Sequence, residues 1–325
     1  MKLSICCITY NHAAFIKQTL DSFISQQVDF VYEIVVCDDH STDETAQIIR
    51  TFQQNFPDRV RAFLRDENIG MMPNFKLALQ ACQGDYIALC EGDDYWTDTN
   101  KLQKQVDFLD ANPEYSVCFH RVFEQADGKD ELSDFNVGED RSYNILELAA
   151  GNIIHTPSVV FRNHIDSIPD WFEQSPAGDY VLHMHHARRG LIHYMAEPMA
   201  VYRRHGQSAW SSQSMKTLYA RWIIVLGLLL NEFKSEKAIH ARLLDQLIET
   251  YEKGCSRATD ENDLDYIVDL TAKLMTFGDA TINAWLHQVY RLQMQQLVDI
   301  PVGIKSSYRH LIKQIRQRFQ HDPNT

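Results

Sequence analysis

The chain has 325 residues, of which 45% are hydrophobic and 23% are charged, a composition typical of a globular protein with a sizeable core. Its formal net charge of −13 argues against a nucleic-acid-binding protein, because such proteins gain most of their affinity from Lys and Arg on phosphates. The length suffices for two domains or for one large domain with an appendage.

The cysteines and the apolar runs indicate the compartment. The seven cysteines are an odd number and include no C-x-x-C pair, so we expect free buried thiols of a reducing compartment. The most apolar window, "WIIVLGLLL" at 222–230, has nine residues, whereas a membrane-spanning helix needs about 20. The N-terminus lacks a long apolar signal core. We therefore predict a cytoplasmic protein that is at most peripheral to a membrane.

Short apolar runs alternate with helical patterns over the first third of the chain. The predicted strands are "LSICCI", "YEIVVC", "VRAFLR", "DYIALC" and "YSVCFH". Asn11 is predicted to cap the first helix, and Ser41 with Glu44 to form the capping box of the second. Further helices are predicted at about 73–82 and 101–109. This alternation predicts a mostly parallel sheet flanked by helices, in which ligands bind beyond the carboxyl ends of the strands.

The second half of the chain changes character twice. Residues 121–150 are polar and irregular, which predicts an exposed loop with a short helix. The stretches "SVVF" and "HYMAEPMAVYRRH" are predicted strands, with a helix near 179–189 between them. From about Ser211 onward leucines recur at helical spacing. We therefore predict an α/β domain over 1–212 and an all-helical region over 213–325.

Polar clusters follow three of the predicted strands. Any one of them could be a solvated cap or turn. Loops at one end of a parallel sheet converge, however, so three clusters in register favour a shared cleft. The clusters are Thr9-Tyr10-Asn11, Asp38-Asp39-His40-Ser41 and Glu91-Gly92-Asp93-Asp94.

The third cluster, "EGDD", places three carboxylates within four residues. Like charges this close repel each other, and a hard divalent cation with oxygen ligands would relieve the repulsion and could grip a diphosphate. The sequence has neither G-x-G-x-x-G nor G-x-x-x-x-G-K-[ST], so a glycine-rich phosphate cradle is not expected. The pattern indicates a metal that holds a phosphate pair.

These motifs together resemble the family 2 inverting glycosyltransferases, which have the GT-A fold. The resemblance covers about residues 1–210 and rests on "ICCITYNHAAFIKQTLDSFISQ", "YEIVVCDDHSTDETAQII", "NIGMMPNFKLAL" and "GDYIALCEGDDYWTDTNKLQKQVDFL". It implies transfer of a sugar from a nucleotide-diphospho-sugar to a hydroxyl of a surface polysaccharide or lipid-linked oligosaccharide. The implied cofactor is Mn²⁺ or Mg²⁺.

The resemblance also implies which residues contact the nucleotide. Asp39 would accept a hydrogen bond from the base, supported by Asp38, and Lys76 would neutralise phosphate. The other implied nucleotide contacts are Thr9, Tyr10, Asn11, Asn68, Gly70, Glu91 and Gly92. Glu91 departs from the family pattern, because an Asp is usual at that position.

The resemblance places the metal and the general base in different segments. Asp93 would be the metal-ligating acid, with His205 as a further ligand to the metal or diphosphate; an ordinary loop histidine is the alternative at 205. Asp179 would deprotonate the acceptor hydroxyl, the alternative being a plain helix N-cap. The implied acceptor or sugar contacts are Asp94, Tyr95, Trp96, His155 and Thr156. Tyr95 and Trp96 could equally be core residues.

Two features lie outside this cleft. His183, His185 and His186 are interpreted as surface or structural residues, because no carboxylate or cysteine stands at a spacing typical of zinc. Residues 303–320 form a basic amphipathic pattern that suits an anionic membrane surface, or alternatively packing on the protein or in a homodimer.

Two other functions keep the same fold. A sugar nucleotidyltransferase also needs acids and a metal, but its glycine-rich basic N-terminal loop is missing from "TYNHAAFIKQ". A non-catalytic nucleotide-sugar-binding or scaffold protein is the other alternative, and Glu91 is the feature that favours it.

Overall fold

The structure is a computed structural model that describes residues 1–134, 138–165, 168–260 and 263–277. The chain divides into two compact units, Met1–Ser212 and Gln213–Thr325. The predicted basic helix at 303–320 lies outside the described residues.

The first unit is built on one mixed sheet flanked by helices, which confirms the predicted fold class. The strand order is β3-β2-β1-β4-β9-β6-β10-β5, with β7 paired to β6 and β8 paired to β10. Strands β3, β2, β1 and β4 are parallel neighbours, and β10 is parallel to β6, whereas β9 and β5 pair antiparallel to their neighbours. The strands are β1 (Leu3–Thr9), β2 (Tyr32–Asp38), β3 (Val60–Leu64), β4 (Tyr86–Leu89), β5 (Tyr95–Trp96), β6 (Tyr115–Ala126), β7 (Lys129–Leu132), β8 (Arg141–Tyr143), β9 (Val160–Arg162) and β10 (Leu191–Arg204).

Helices connect these strands and cover the sheet. Every residue of β1 and β2 is buried, as expected for apolar runs covered on both faces. The first helix buries Ile16, Leu20 and Phe23, which recur at helical spacing. In this unit the helices are α1 (Ile16–Ile24), α2 (Thr45–Asn55), α3 (Met71–Ala81), α4 (Lys101–Ala111), α5 (Ile145–Leu148) and α6 (Gly178–Ala187).

Both predicted N-caps are wrong. Helix α1 begins after Phe15, and Asn11 instead adopts a positive φ of 55° and accepts a hydrogen bond from the backbone of Thr42. Helix α2 begins after Glu44, because the Ser41 hydroxyl donates to Asp38 instead of capping the helix. Each side chain instead forms hydrogen bonds that link the loop after β1 to the loop after β2.

Over 121–150 the predicted short helix is present as α5, but the predicted loop is wrong. Strand β6 runs on to Ala126 and returns through a tight turn at Asp127 and Gly128 into β7, so this segment is a hairpin followed by β8 and α5. Both turn residues have positive φ, 51° and 73°. That geometry suits a two-residue hairpin turn, and the polar composition reflects the exposed face of β7.

The described part of the second unit is helical, with α7 (Met215–Glu232), α8 (Lys237–Asp260) and α9 (Leu264–Met275). Ser214 caps α7 and Asp263 caps α9 through side-chain hydrogen bonds. Across the residues that can be described, none of the helices has the length and apolarity needed to cross a bilayer. The predicted free thiols are confirmed: six of the cysteines are buried and Cys255 is partly exposed.

Candidate active site

The three polar clusters meet at the carboxyl ends of neighbouring strands. Thr9 is paired with Asp38 in the β1–β2 register, so the first two clusters start side by side. The third loop joins them because the amide of Gly92 donates to the carbonyl of Ile8, at 2.9 Å. The convergence expected from parallel strands is therefore present in the structure.

Gly92 allows the acidic loop to approach β1 this closely. A Cβ atom at this position would lie 2.4 Å from Oγ1 of Thr9 and 2.7 Å from its Cβ. Thr19, on α1, fixes the same loop, because its hydroxyl donates to the carbonyls of Gly92 and Asp94 at 2.9 and 2.6 Å. The loop thus depends on a glycine for close packing.

Asp39 organises the predicted nucleotide side. Its carboxylate accepts hydrogen bonds from the amides of Ile69 and Gly70 at 2.8 and 2.9 Å, while Asn68 donates to its carbonyl at 3.0 Å. Gly70 has a φ of 93°, which favours glycine. Both carboxylate oxygens retain further acceptor capacity, so Asp39 can hold the turn and also receive a donor from a ligand.

Other predicted nucleotide residues lie around this turn. Asp38 accepts from the amide and hydroxyl of Ser41, and the Ser41 hydroxyl oxygen in turn accepts from the backbone amide of Asn11. Tyr10 is 44% exposed at the end of β1, which leaves its ring accessible to a ligand. Lys76 forms an ion pair with Glu173 at 2.6 Å, and this pairing engages the ammonium predicted to neutralise phosphate.

Asp93 lies between two histidines. Its Oδ2 is 3.0 Å from Nε2 of His205 and 3.8 Å from Nε2 of His12. Burial would raise the pKa of Asp93, but the hydrogen bond with His205 and the charges of both histidines outweigh burial and lower it. His12 was missed by the sequence reasoning, although it directly follows the first polar cluster.

The other two acids of the loop are shifted in the opposite direction. Burial, with the charges of Asp93 and Asp179, raises the pKa of Glu91 to about 8. Burial and the charge of Asp93 also raise the pKa of Asp94 well above its usual value. The cluster therefore carries less negative charge than its sequence suggests, with Asp93 as the ionised member.

Arg203 fixes this loop from the end of β10. Its amide donates to Oδ1 of Asp94 at 2.8 Å, and its guanidinium donates to the carbonyl of Asp93 and to Gln18. The guanidinium also lies over the ring of Tyr95, 4.3 Å from its centroid. Arg203 thus holds the loop, and His205 reaches Asp93 from just beyond it.

The donor set fits a divalent cation supplied with further ligands. In the described part of the chain, Oδ1 of Asp93 and Oδ2 of Asp94 are buried without a hydrogen-bond partner, as is Oγ1 of Thr9. Buried carboxylate oxygens without donors are suited to a hard cation. Over those same residues no group of three or more His, Cys, Asp or Glu side chains is arranged to hold a metal ion alone.

Asp179 lies in the first turn of α6 rather than at its N-cap, which is Ala177. Its Oδ2 is 3.4 Å from Nδ2 of Asn152 and 3.5 Å from the hydroxyl of Thr156. Its charge contributes to the raised pKa of Glu91, so this carboxylate lies near the acidic loop. The plain-cap interpretation is therefore wrong.

His155 belongs to a second polar group beside Asp179. Its Nε2 lies 3.5 Å from Oε1 of Glu124, and its ring lies 5.4 Å from that of Tyr202. The hydrogen bond from His155, helped by Ser133, outweighs burial and lowers the pKa of Glu124 to about 2. This ionised carboxylate borders the side predicted for the acceptor.

The second aromatic residue after the acids, Trp96, lies in the core. Trp96 is buried, packs on Phe23 with ring centroids 4.6 Å apart, and donates from Nε1 to the carbonyl of Pro157 at 2.8 Å. Of the two interpretations left open for Trp96, the structure supports the core. His183, His185 and His186 are buried, so they are structural rather than surface residues.

Comparisons with known proteins bear on the family and the fold of this chain. The model of glycosyl transferase family 2 matches residues 4–169. An uncharacterized protein of Mycobacterium tuberculosis (strain ATCC 25618 / H37Rv) is 43% identical over 217 residues, which cover 65% of this chain and 61% of that protein. The match thus spans less than two thirds of that relative's length.

Two further comparisons concern named proteins. The Escherichia coli UDP-Glc:alpha-D-GlcNAc-diphosphoundecaprenol beta-1,3-glucosyltransferase WfaP is 33% identical over 109 residues, 34% of this chain and 41% of that protein. The crystal structure of S. aureus TarS 1-349 in complex with UDP-GlcNAc superimposes with a TM-score of 0.67 at 19% identity, covering 98% of this chain and 92% of that one. This last likeness concerns the fold. The chain belongs to glycosyl transferase family 2 and has the GT-A fold.

Proposed function

We propose that this enzyme transfers a sugar, with inversion and with Mn²⁺ or Mg²⁺, from a nucleotide-diphospho-sugar to a hydroxyl of a surface polysaccharide or lipid-linked oligosaccharide. The observation that carries the proposal is the meeting of Asp93, His205 and Asp179 around one acidic loop. Two relatives are consistent with it: WfaP is named for a diphosphoundecaprenol acceptor, and TarS was crystallised with UDP-GlcNAc.

The donor side of the reaction is assigned to the first three loops. Tyr10 and Asp39 would bind the base, with Asn68 and Gly70 forming the turn beside it. Asp93 and His205 would hold the divalent cation, which supplies positive charge for the leaving diphosphate when bound. Glu91, whose pKa is raised to about 8, would contact the nucleotide, and Asp94 would contact the sugar or the acceptor.

The chemical step is assigned to Asp179. The acceptor hydroxyl oxygen forms a bond to the anomeric carbon while the bond from that carbon to the diphosphate oxygen breaks. The hydroxyl proton passes to the Asp179 carboxylate, and the electron pair leaves with the diphosphate. Because the displacement is single, the configuration at the anomeric carbon inverts. His155 and Thr156 would contact the acceptor.

The place of the reaction follows from the proposed acceptor. A lipid-linked oligosaccharide is carried at the membrane surface, so we assign the enzyme to the cytoplasm, peripheral at the inner face. Free cysteines are compatible with that reducing compartment.

The test is calorimetric binding of UDP, GDP, CDP and ADP with and without Mn²⁺, on the wild type and on Asp93→Ala. We expect one diphosphate to bind in Mn²⁺ and its affinity to fall by about 10–100-fold in Asp93→Ala. The matched control is Asp21→Ala, an exposed acid of α1 that pairs with Lys17. Binding that needs no metal, or that survives in Asp93→Ala, would contradict the assigned donor site.

A further inference from the structure

Lys101 is a buried lysine that the proposed chemistry does not use. It is the first residue of α4 and is fully buried. Its Nζ donates to Oε1 of Gln105 at 2.8 Å and lies 4.2 Å from the centroid of the Trp96 ring. Throughout the described ranges no carboxylate is within ion-pair distance of this ammonium. An unpaired buried ammonium costs several kcal/mol of folding free energy, so its presence calls for a role.

Both partners of the ammonium hold one short turn. Gln105 donates from Nε2 to the carbonyl of Ser158 at 2.9 Å and to that of Cys118 at 3.0 Å. Trp96 donates from Nε1 to the carbonyl of Pro157 at 2.8 Å. Pro157 and Ser158 belong to a single 3-10 turn, Thr156–Ser158. The ammonium thus touches both side chains that anchor this turn.

A lysine fixes the direction of the Gln105 amide. In its charged form Lys101 only donates hydrogen bonds, so Gln105 then presents Oε1 to Lys101 and Nε2 to the two carbonyls. The reversed amide would place its oxygen against the carbonyl oxygens of Cys118 and Ser158. The cation also favours the face of the Trp96 ring, which keeps Nε1 directed at Pro157. An apolar residue at 101 would remove both constraints.

The turn leads directly to Asp179. The hydroxyl of Thr156, the first residue of the turn, lies 3.5 Å from Oδ2 of Asp179. At the other end of the network, Trp96 follows the acidic loop by two residues and forms β5. The buried network therefore connects the loop that would bind the donor with the carboxylate that would receive the acceptor proton.

We propose that Lys101 is a positioning residue for sugar transfer, acting through Gln105 and Trp96 on the Thr156–Ser158 turn and through Thr156 on Asp179. This inference rests on the proposed role of Asp179 as general base. Lys101 touches neither substrate. Its contribution is to keep a hydrogen-bond donor of the turn at a fixed distance from the carboxylate.

The electrostatics around Lys101 agree with a cost in folding free energy for burying its charge. Burial lowers the pKa of Lys101 to about 7, while the thiols of Cys90 and Cys118 act to raise it. His120 is a further titratable neighbour, and its pKa is lowered well below its usual value by burial first and by the charge of Lys101 second. Replacing the amine by an apolar group of similar length should therefore relieve the fold while releasing the turn.

The test is Lys101→Met, examined by hydrogen–deuterium exchange and thermal unfolding. Amides of Ser158 and Val159, which close the turn by donating to His155 and Thr156 carbonyls, should exchange about tenfold faster. The melting temperature should stay equal or rise, and Mn²⁺-dependent nucleoside diphosphate binding should stay within about twofold. Unchanged exchange at 156–159 would overturn the proposal. Faster exchange throughout the first unit with a lower melting temperature would reduce Lys101 to an ordinary core residue.

Three further substitutions keep the test decisive. Gln105→Met should reproduce the local exchange, and it serves alone if Lys101→Met does not fold. The activity assay measures nucleoside diphosphate release from UDP-GlcNAc, UDP-glucose and GDP-mannose, with water as acceptor. The rate of release should fall in Lys101→Met. In the double variant Lys101→Met/Thr156→Val the rate should be no lower than in Thr156→Val alone. Normal turnover in Asp179→Asn would contradict the general base and leave the exchange result standing. If Asp179→Asn is inactive while Lys101→Met is fully active, the role of Lys101 is contradicted and the role of Asp179 is not.

Discussion

The imidazole Nε2 of His205 lies 3.0 Å from Oδ2 of Asp93, across 112 residues of sequence. This contact joins the acidic loop after β4 to the segment just beyond β10. It holds Asp93 in its ionised form, because the histidine favours the charged carboxylate over the neutral acid. The pair is therefore a charged group that is in place before any ligand binds.

His205→Ala tests this pair. We expect the Mn²⁺-dependent affinity for the nucleoside diphosphate to fall by about 10–100-fold, because one proposed ligand and the support of Asp93 are both lost. Calorimetry with and without Mn²⁺ gives the two affinities. The control is His240→Ala, in α8 of the second unit. Equal affinity in His205→Ala and in the control would contradict the role of His205.

Asp179→Asn separates donor binding from chemistry. The amide keeps the shape of the side chain but cannot take up a proton, so turnover should fall by about 10²–10⁴-fold while nucleoside diphosphate binding is unchanged. The measurement is release of nucleoside diphosphate from the sugar donor identified by the binding experiment. Asp21→Asn, on the exposed face of α1, should remain fully active. Near-normal turnover in Asp179→Asn would remove it as the base.

Gly92→Ala tests the close approach between β1 and the acidic loop. A methyl group would meet Oγ1 of Thr9 at 2.4 Å, so we expect a loss of about 1–3 kcal/mol in the free energy of unfolding together with loss of donor binding. Gly151→Ala is the matched control, because nothing lies within 4 Å of its added Cβ. Denaturant unfolding and calorimetry measure the two effects. A Gly92→Ala variant that behaves like the control would show that the loop can shift at no cost.

The buried histidine His183 predicts acid sensitivity. Burial lowers the pKa of His183 to about 4 from its ordinary 6.5. The unfolded chain therefore binds the proton first as the pH falls, so this stability is present above pH 6.5 and is lost between pH 6.5 and 4. The loss amounts to about 3 kcal/mol at 1.36 kcal/mol per pH unit of pKa shift.

His183→Leu provides the comparison for this acid sensitivity. Both ring nitrogens of His183 are buried without a hydrogen-bond partner among the described residues, so leucine removes no hydrogen bond. Denaturant unfolding at pH 7, 5.5 and 4 should show a smaller loss of stability in the variant than in the wild type. Parallel curves for the two proteins would mean that other groups, such as His120 and His186, carry the whole effect.

The sequence was sufficient for strands β1 to β4 and for the meeting of the three polar clusters, but it missed the short strands β5, β7 and β8. Apolar runs such as "YEIVVC" mark buried strands, and Thr9, Asp38 and Glu91 each stand at or just after the end of one. Parallel strands then place these residues at one edge without any knowledge of packing. The position of Asp179 near this edge came instead from the family resemblance.

Long-range partners explain what the sequence could not predict. Asn11 and Ser41 resemble caps locally, yet each is used by a loop about 30 residues away. Trp96 could have faced a sugar, and only the carbonyl of Pro157 and the ammonium of Lys101 decide that it is core. Arg203 donates to the carbonyl of Asp93 and to the carboxylate of Asp94, over 100 residues earlier, a relationship that no local pattern encodes.

The hydrogen bonds from Arg203 to the acidic loop have a consequence for folding during biosynthesis. The acidic loop leaves the ribosome about 110 residues before Arg203 and His205 do. During that interval β1, β2 and β4 can already pair, but the acidic loop has neither its arginine nor its histidine. Contacts of such large sequence separation form late in folding. The nascent chain therefore completes its donor site only when β10 has been translated, so chains truncated before Arg203 should fold part of the sheet yet remain unable to capture a nucleotide.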